Sequence, residues 1–225
     1  RPAMRIAALS NIPSVFVFTH DSIGLGEDGP THQSIEQLAS FRAMPNMHVY
    51  RPADASETNY AWKHALERKD GPTLIALSRQ GIPNIATEEP ELTEKGAYIL
   101  SDSQKDTPDA ILMGSGSEVQ HLLEAQKKLK EQHIDARVVS MPCWEVFEQQ
   151  PDSYKEQVLP ESVEARVSLE AASTLGWERY VGTKGSAIGV DRFGASAPSG
   201  VVMEKYGITA DHVVEETQKI VKRNS

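Results

Sequence analysis

The feature that most constrains the fold is an abrupt change of character after residue 18. Val15-Phe16-Val17-Phe18 is a short run of apolar, β-favouring residues, which predicts a strand buried on both faces. The fourteen residues from His20 to Gln33 then hold two His, three acids, three Gly and one Pro. That is too polar to bury and too rich in glycine for a regular element. From Ser34, the spacing of Ile35, Leu38, Ala39 and Phe41 predicts a helix over 34–43. The order is strand, long polar loop, helix. In an open α/β sheet ligands sit at the carboxyl ends of the strands, so this loop is the first candidate site.

The rest of the chain repeats the alternation. Residues 1–10 read as a helix that began earlier, since a parallel α/β unit should open with a strand; the chain is therefore expected to be the C-terminal part of a longer protein. Met47-His48-Val49-Tyr50 is a short strand. Asp54, with Glu57 three residues on, is close to a capping box and opens a helix to about Arg68. Its inner face is expected at Tyr60, Ala61, His64, Ala65 and Leu66. Thr73 to Leu77 is a third buried strand. Strands and helices alternating in this way imply βαβ units and a parallel sheet. Residues 81–95 are acidic, contain prolines and show no periodicity, so they read as a linker. A second unit starts at 96. It has strands near 96–100, 109–114, 136–140, 165–169 and 186–190. Helices are expected over 118–132, around Pro151, near Trp177, after Pro198 and over 211–221. Residues 101–108 form a hairpin-like or exposed loop. The fold class is α/β, with two parallel or mixed-sheet units.

Composition limits the partners. A formal net charge of −9 argues against a general affinity for nucleic acid or anionic membranes. No apolar run approaches the ~20 residues that span a bilayer. The single cysteine, Cys143, allows no intrachain disulfide and fits a reduced structural residue in a cytoplasmic setting.

Four residues could carry chemistry. His20 ends the first strand and Arg79 lies just past the third, so one sheet edge receives an arginine fork and an imidazole, a pair suited to phosphate. Each could equally be a surface or capping residue. Asp28 could bind a ligand or simply close its own turn. His32 could exchange a proton or begin the following helix. Gly24-Leu25-Gly26-Glu27-Asp28-Gly29 spells a dinucleotide fingerprint, but four residues separate it from the strand and two acids would face the pyrophosphate. No histidine pair has zinc spacing, so no metal site is expected. Glu170 and Asp191 read as structural or interface acids.

The wording of the loop is also specific. His20-Asp21-Ser22-Ile23-Gly24-Leu25-Gly26-Glu27-Asp28-Gly29-Pro30-Thr31-His32-Gln33 resembles the signature of the transketolase family. The likeness continues through Pro45-Asn46-Met47, Arg51-Pro52-Ala53-Asp54, Ala61-Trp62-Lys63, Gly71-Pro72-Thr73, Leu77-Ser78-Arg79-Gln80 and Phe193-Gly194-Ala195-Ser196-Ala197-Pro198. It implies the fold of thiamine-diphosphate enzymes. Residues 1–80 would be the C-terminal part of the pyrimidine-binding domain, truncated at its N-terminus, 81–95 a linker and 96–225 the C-terminal α/β domain. It implies transfer of a two-carbon ketol unit from a ketose phosphate to an aldose phosphate in the pentose phosphate pathway. His20 and Arg79 would hold the substrate phosphate and Asp28 its C2 hydroxyl. His32 would act at the reacting carbonyl, as catalytic and substrate-binding residue. The implied cofactors are thiamine diphosphate and Mg2+ (or Ca2+), in a homodimer whose subunits share the site. The family's Gly-Asp-Gly motif for metal and diphosphate is not in this sequence, nor are its glutamate and aromatics for the pyrimidine, so the chain alone is expected to be inactive. Related readings are dihydroxyacetone synthase, deoxyxylulose phosphate synthase or a non-catalytic phosphosugar-binding paralogue. The His20-Asp21-Ser22-Ile23 wording argues against the synthase of deoxyxylulose phosphate.

Overall fold

The computed structural model describes residues 1–85 and 89–224. The first unit runs α1 (Pro2–Leu9), β1 (Val15–Thr19), α2 (Gln37–Arg42), β2 (His48–Tyr50), α3 (Ala55–Glu67) and β3 (Thr73–Leu77). The second runs β4 (Tyr98–Ser101), β5 (Ala110–Gly114), α4 (Val119–Glu131), β6 (Ala136–Ser140), α5 (Trp144–Glu148), α6 (Asp152–Val158), β7 (Arg166–Leu169), α7 (Glu178–Val181), β8 (Ser186–Ile188), α8 (Ser199–Lys205) and α9 (Ala210–Asn224). The predicted linker 81–95 ends in a 3-10 turn over Pro90–Lys95; its residues 86–88 lie outside the described residues.

The chain forms two α/β sheets. The first is parallel, in the order β1-β3-β2; the second is mixed, in the order β4-β6-β5-β7-β8, with β4 antiparallel to β6. The expected alternative of a hairpin between β4 and β5 therefore fails, because β6 lies between them. β1 is not buried on both faces either. It takes the edge of its sheet, and Val17 and Phe18 are 40% and 46% exposed. Helix α2 begins at Gln37 rather than Ser34, since the Gln37 side chain takes the Ile35 N–H and holds that residue outside the helix. On α3 the Asp54 cap forms as expected, with its carboxylate accepting the Glu57 N–H. The inner face differs: Leu66 is exposed, while Glu57, Ala61 and Ala65 are buried.

The core does not divide at the linker. Ile23 and Ile35 pack with Leu169, Ala171 and Val202 of the second unit. Ala172 joins Met4 and Leu38, and Cys143 and Val146 join Tyr50 and Ala61. The open edge of β2 is closed from the second unit, where the Glu145 carboxylate accepts the Val49 N–H at 3.0 Å. Among the described residues, no helix is long and apolar enough to cross a membrane.

The carboxyl ends of parallel strands from both units meet. Arg51, directly after β2, is fully buried and donates to Asp21 Oδ2 at 2.8 Å, to the Ser115 carbonyl at 2.8 Å and to the Glu118 carboxylate. Asp21 lies past β1, and Ser115 and Glu118 past β5. Arg42 binds Glu170, after β7, through two hydrogen bonds of 2.7 and 2.8 Å. Burial pushes the Glu170 carboxyl up, but the Arg42 guanidinium and its paired bonds outweigh it and hold the group down to about 2. A buried charge this well partnered fixes the relation of the two sheets, because any shift would strand it.

Candidate active site

The site begins where the first sheet ends. Thr19 and Leu77 are register partners on adjacent parallel strands β1 and β3. His20 follows directly, and Arg79 comes two residues past Leu77, so both leave the sheet at one edge. His20 takes a left-handed backbone conformation, φ +66, which is uncommon for any residue but glycine. Conformations of this kind cost on the order of 1–3 kcal/mol and cluster at functional sites. It turns the chain sharply out of β1. Thr19 Oγ1 lies 2.7 Å from His20 Nδ1 and fixes the ring, which leaves the other nitrogen for a ligand. Arg79 is exposed and, among the described residues, makes no hydrogen bond or ion pair. Its guanidinium is free to meet an anion.

The loop after His20 is folded by its own backbone. Ser22 caps a 3-10 turn over Ile23–Leu25, accepting the Gly24 N–H at 3.2 Å. Gly26 and Gly29 have φ of +84 and +76 and bracket a turn closed by Gly29 N–H to the Gly26 carbonyl. These two positions need glycine twice over. Their φ is left-handed, and a Cβ would stand 3.0 Å from the Ser199 nitrogen or 3.2 Å from Ser196 Cβ. Asp28 lies within this turn, exposed, and its carboxylate accepts no hydrogen bond among the described residues, so it is not tied up in closing the turn. The Gly29 carbonyl accepts the N–H groups of His32 and Gln33, which bring the chain back toward the sheet. His32 lies ahead of α2, not on it, with Thr31 Oγ1 2.9 Å from its Nδ1.

Two of the four predicted residues share a cavity. His20 and His32 line a hollow of about 250 Å3, floored by Phe18, Leu38, Phe41 and Leu74. Asp28 and Arg79 are not in its lining; they stand on the loop and on the neighbouring strand end. A larger cleft of about 550 Å3 opens at the other end of the sheet, around His48 and His64.

Sequence reasoning missed what holds this site in place. Asp21, one residue past His20, is anchored by the buried Arg51. Gln33 is buried and ties the loop to Ala195 of the second unit. The signal available was the run Gly194-Ala195-Ser196-Ala197, whose small side chains permit a close backbone approach.

Comparisons with known proteins agree along the chain. The family description "Transketolase, pyrimidine binding domain" matches residues 1–84, and "Transketolase-like TK C-terminal domain" matches residues 96–209. The chain is 50% identical over 226 residues to a transketolase of Bacillus subtilis, covering 99% of this chain and 34% of that protein. It is 53% identical over 221 residues to a chloroplastic transketolase of Solanum tuberosum, covering 98% of this chain and 30% of that one. It thus spans about a third of the length of the curated relatives it matches. The structure of Pichia stipitis transketolase in complex with sedoheptulose-7-phosphate superposes with a TM-score of 0.93 at 44% identity, over 99% of this chain and 32% of that one. A split-gene transketolase, described as an inactive β4 tetramer, superposes with a TM-score of 0.76 at 29% identity, over 92% of this chain and 67% of that one.

Proposed function

The chain belongs to the transketolase family, and from that premise we propose that it forms the substrate-facing part of a ketol-transferring enzyme. In the full-length protein a two-carbon ketol unit passes from a ketose phosphate to an aldose phosphate, a reaction of the pentose phosphate pathway. The observation that carries this reading is the pairing of His20 and Arg79 at the ends of adjacent strands, with the loop of Asp28 and His32 rising from the same edge.

Each residue has a chemical task. Arg79 offers a planar fork and His20 a ring nitrogen to one phosphate, which anchors the far end of the sugar. Asp28 accepts from the C2 hydroxyl of the acceptor and so favours 2-hydroxyaldehydes. His32 donates to the oxygen of the reacting carbonyl and takes the proton back when the product forms. The Pichia stipitis complex with a sugar phosphate supports the substrate class.

The family works with thiamine diphosphate and a divalent metal, Mg2+ or Ca2+. This chain's residues do not make a place for the diphosphate and metal: no Gly-Asp-Gly occurs in it, and among the described residues no three His, Cys, Asp or Glu could hold a metal ion. Those ligands belong to other parts of a cytoplasmic homodimer that shares its sites between subunits, and the chain alone is inactive. The split-gene relative described as an inactive tetramer supports that last point. The test is a ketol-transfer assay on the full-length protein with both cofactors, and with Asp28→Ala beside the parent. A carboxylate–hydroxyl hydrogen bond is worth ~1.5–3 kcal/mol, so the variant should lose about ten- to 150-fold in kcat/KM on 2-hydroxyaldehydes and little on 2-deoxy analogues. Equal losses would mean that Asp28 holds the loop rather than the substrate.

A further inference from the structure

Gln33 divides its two amide protons between the loop that precedes it and the second unit. Its side chain is buried, and both amide protons are used. Nε2 donates to the Gly26 carbonyl at 2.8 Å and to the Ala195 carbonyl at 3.0 Å. The first bond staples the two ends of the Gly26–Gln33 loop together. The second fastens that staple to the segment between β8 and α8 of the second unit. Gly194, next to Ala195, has no room for a side chain, since a Cβ there would coincide with Gln33 Oε1. One residue further, the Ser196 hydroxyl donates to the Glu27 carbonyl. The pinned residues are therefore Gly26, Glu27 and Gln33. Asp28 directly follows one of them, and His32 directly precedes another.

We propose that Gln33 is a positioning residue: with the 194–196 segment of the second unit it sets where Asp28 and His32 stand, and so makes acceptor selectivity depend on the second unit. This rests on the ketol-transfer reading of the site. Neither Gln33 nor Ser196 is assigned a contact with substrate. They act through carbonyls on either side of the residues that are assigned one. Without the Gln33 amide the Gly26 carbonyl keeps only the Gly29 N–H and the Ala195 carbonyl loses its donor, and a loop with two left-handed glycines has the freedom to move.

The test uses the full-length holoenzyme with Gln33→Ala, Gly194→Ala, their double, Ser196→Ala and Ser196→Thr. Hydrogen exchange of residues 26–33 and kcat/KM for a 2-hydroxyaldehyde and its 2-deoxy analogue are measured on each. Gln33→Ala should speed exchange of the loop by about tenfold or more, the scale of one lost hydrogen bond, with β3 and α4 unaffected. The preference for the 2-hydroxy acceptor should narrow by a similar factor, while the ratio between phosphorylated and dephosphorylated acceptors, read at His20 and Arg79, stays put. Gly194→Ala should reproduce this, and the double should be no worse than Gln33→Ala alone. Ser196→Ala, a change at an exposed side chain, should narrow the preference by about threefold, and Ser196→Thr, which keeps the hydroxyl, should restore it. Unchanged loop exchange overturns the proposal, as does faster exchange with an unchanged acceptor preference. If Gln33→Ala does not fold, the Ser196 pair decides, and parent-like selectivity in Ser196→Ala overturns it. If the parent transfers no ketol unit, the functional reading has failed, and loop exchange alone decides whether Gln33 holds the loop.

Discussion

Replacing Glu57 with Gln should change how the protein's stability responds to pH. Glu57 lies in the first turn of α3 and is 2% exposed. Its Oε2 accepts the Ala53 N–H at 2.6 Å, and its Oε1 accepts the hydroxyls of Tyr98 at 2.8 Å and Ser140 at 2.5 Å, both from the second unit. Burial pushes its carboxyl up, and these hydrogen bonds recover only part of the shift, leaving it at about 7 against an ordinary 4.5. The native state thus keeps a proton that the unfolded chain gives up near pH 4.5. The stabilisation is fully present below 4.5 and is lost as pH rises to about 7. At 1.36 kcal/mol for each pKa unit, the loss amounts to about 3 kcal/mol. Gln stays neutral throughout. Its oxygen can accept from Ala53, while the two hydroxyls rotate to accept from its amide. Urea denaturation of parent and Glu57→Gln between pH 4 and 8 gives the stability difference, in which every other titrating group cancels. That difference should move by about 3 kcal/mol in favour of Gln across the window and then level off. A difference that stays constant with pH would refute the reasoning.

The other end of the first sheet should behave in the opposite sense. His48 is held down to about 3, first by burial and then by Arg68 and His64, with its Nδ1 2.9 Å from His64 Nε2. Its contribution is present above pH 6.5 and lost as pH falls toward 3, so His48→Gln should remove acid sensitivity of about 5 kcal/mol in all, about 3 kcal/mol of it between pH 4 and 7; urea midpoints at pH 4 and 7 that shift in parallel with the parent would count against this. Arg51→Met leaves Asp21 and Glu118 buried without their partner and should cost ~3–5 kcal/mol of unfolding free energy, again by urea denaturation; a loss under about 1 kcal/mol would mean the junction tolerates the bare charges.

Much of this was legible because it is local. Alternating apolar runs and helical spacing marked nearly every strand, and β6 falls on residues 136–140 as expected. The Asp54 cap needs only a neighbour three residues away. The signature loop was legible from its glycines and its change of polarity. What failed depends on contacts that sequence spacing does not encode. Val15 to Phe18 is apolar enough for a buried strand, yet its place at the sheet edge is decided by which strands pair with it. Periodicity places Leu66 on the inner face and leaves Glu57 out, because it ranks residues by polarity. Here the buried carboxylate is matched by two hydroxyls that lie 41 and 83 residues away. The same holds for Arg51 and Glu118, 67 residues apart, and for Gln33 and Ala195, 162 apart. The left-handed turn at His20 gives no sign in composition at all.

His20 and Arg79, from two adjacent strands, are proposed to grip one phosphate. The measurement is kcat/KM of the full-length enzyme for a phosphorylated acceptor and its dephosphorylated analogue, in His20→Ala, Arg79→Ala, Arg79→Lys and the double alanine variant. Each charge-assisted contact should be worth about 1.5–3 kcal/mol, appearing mainly in KM for the phosphorylated acceptor. Arg79→Lys should recover part of it, since the charge returns without the fork. The two alanine variants should be non-additive, because they share one ligand group. The dephosphorylated acceptor never made the contact, so its kcat/KM should hardly change. Parallel losses on both acceptors would rule out a shared phosphate and make His20 and Arg79 supports of the fold.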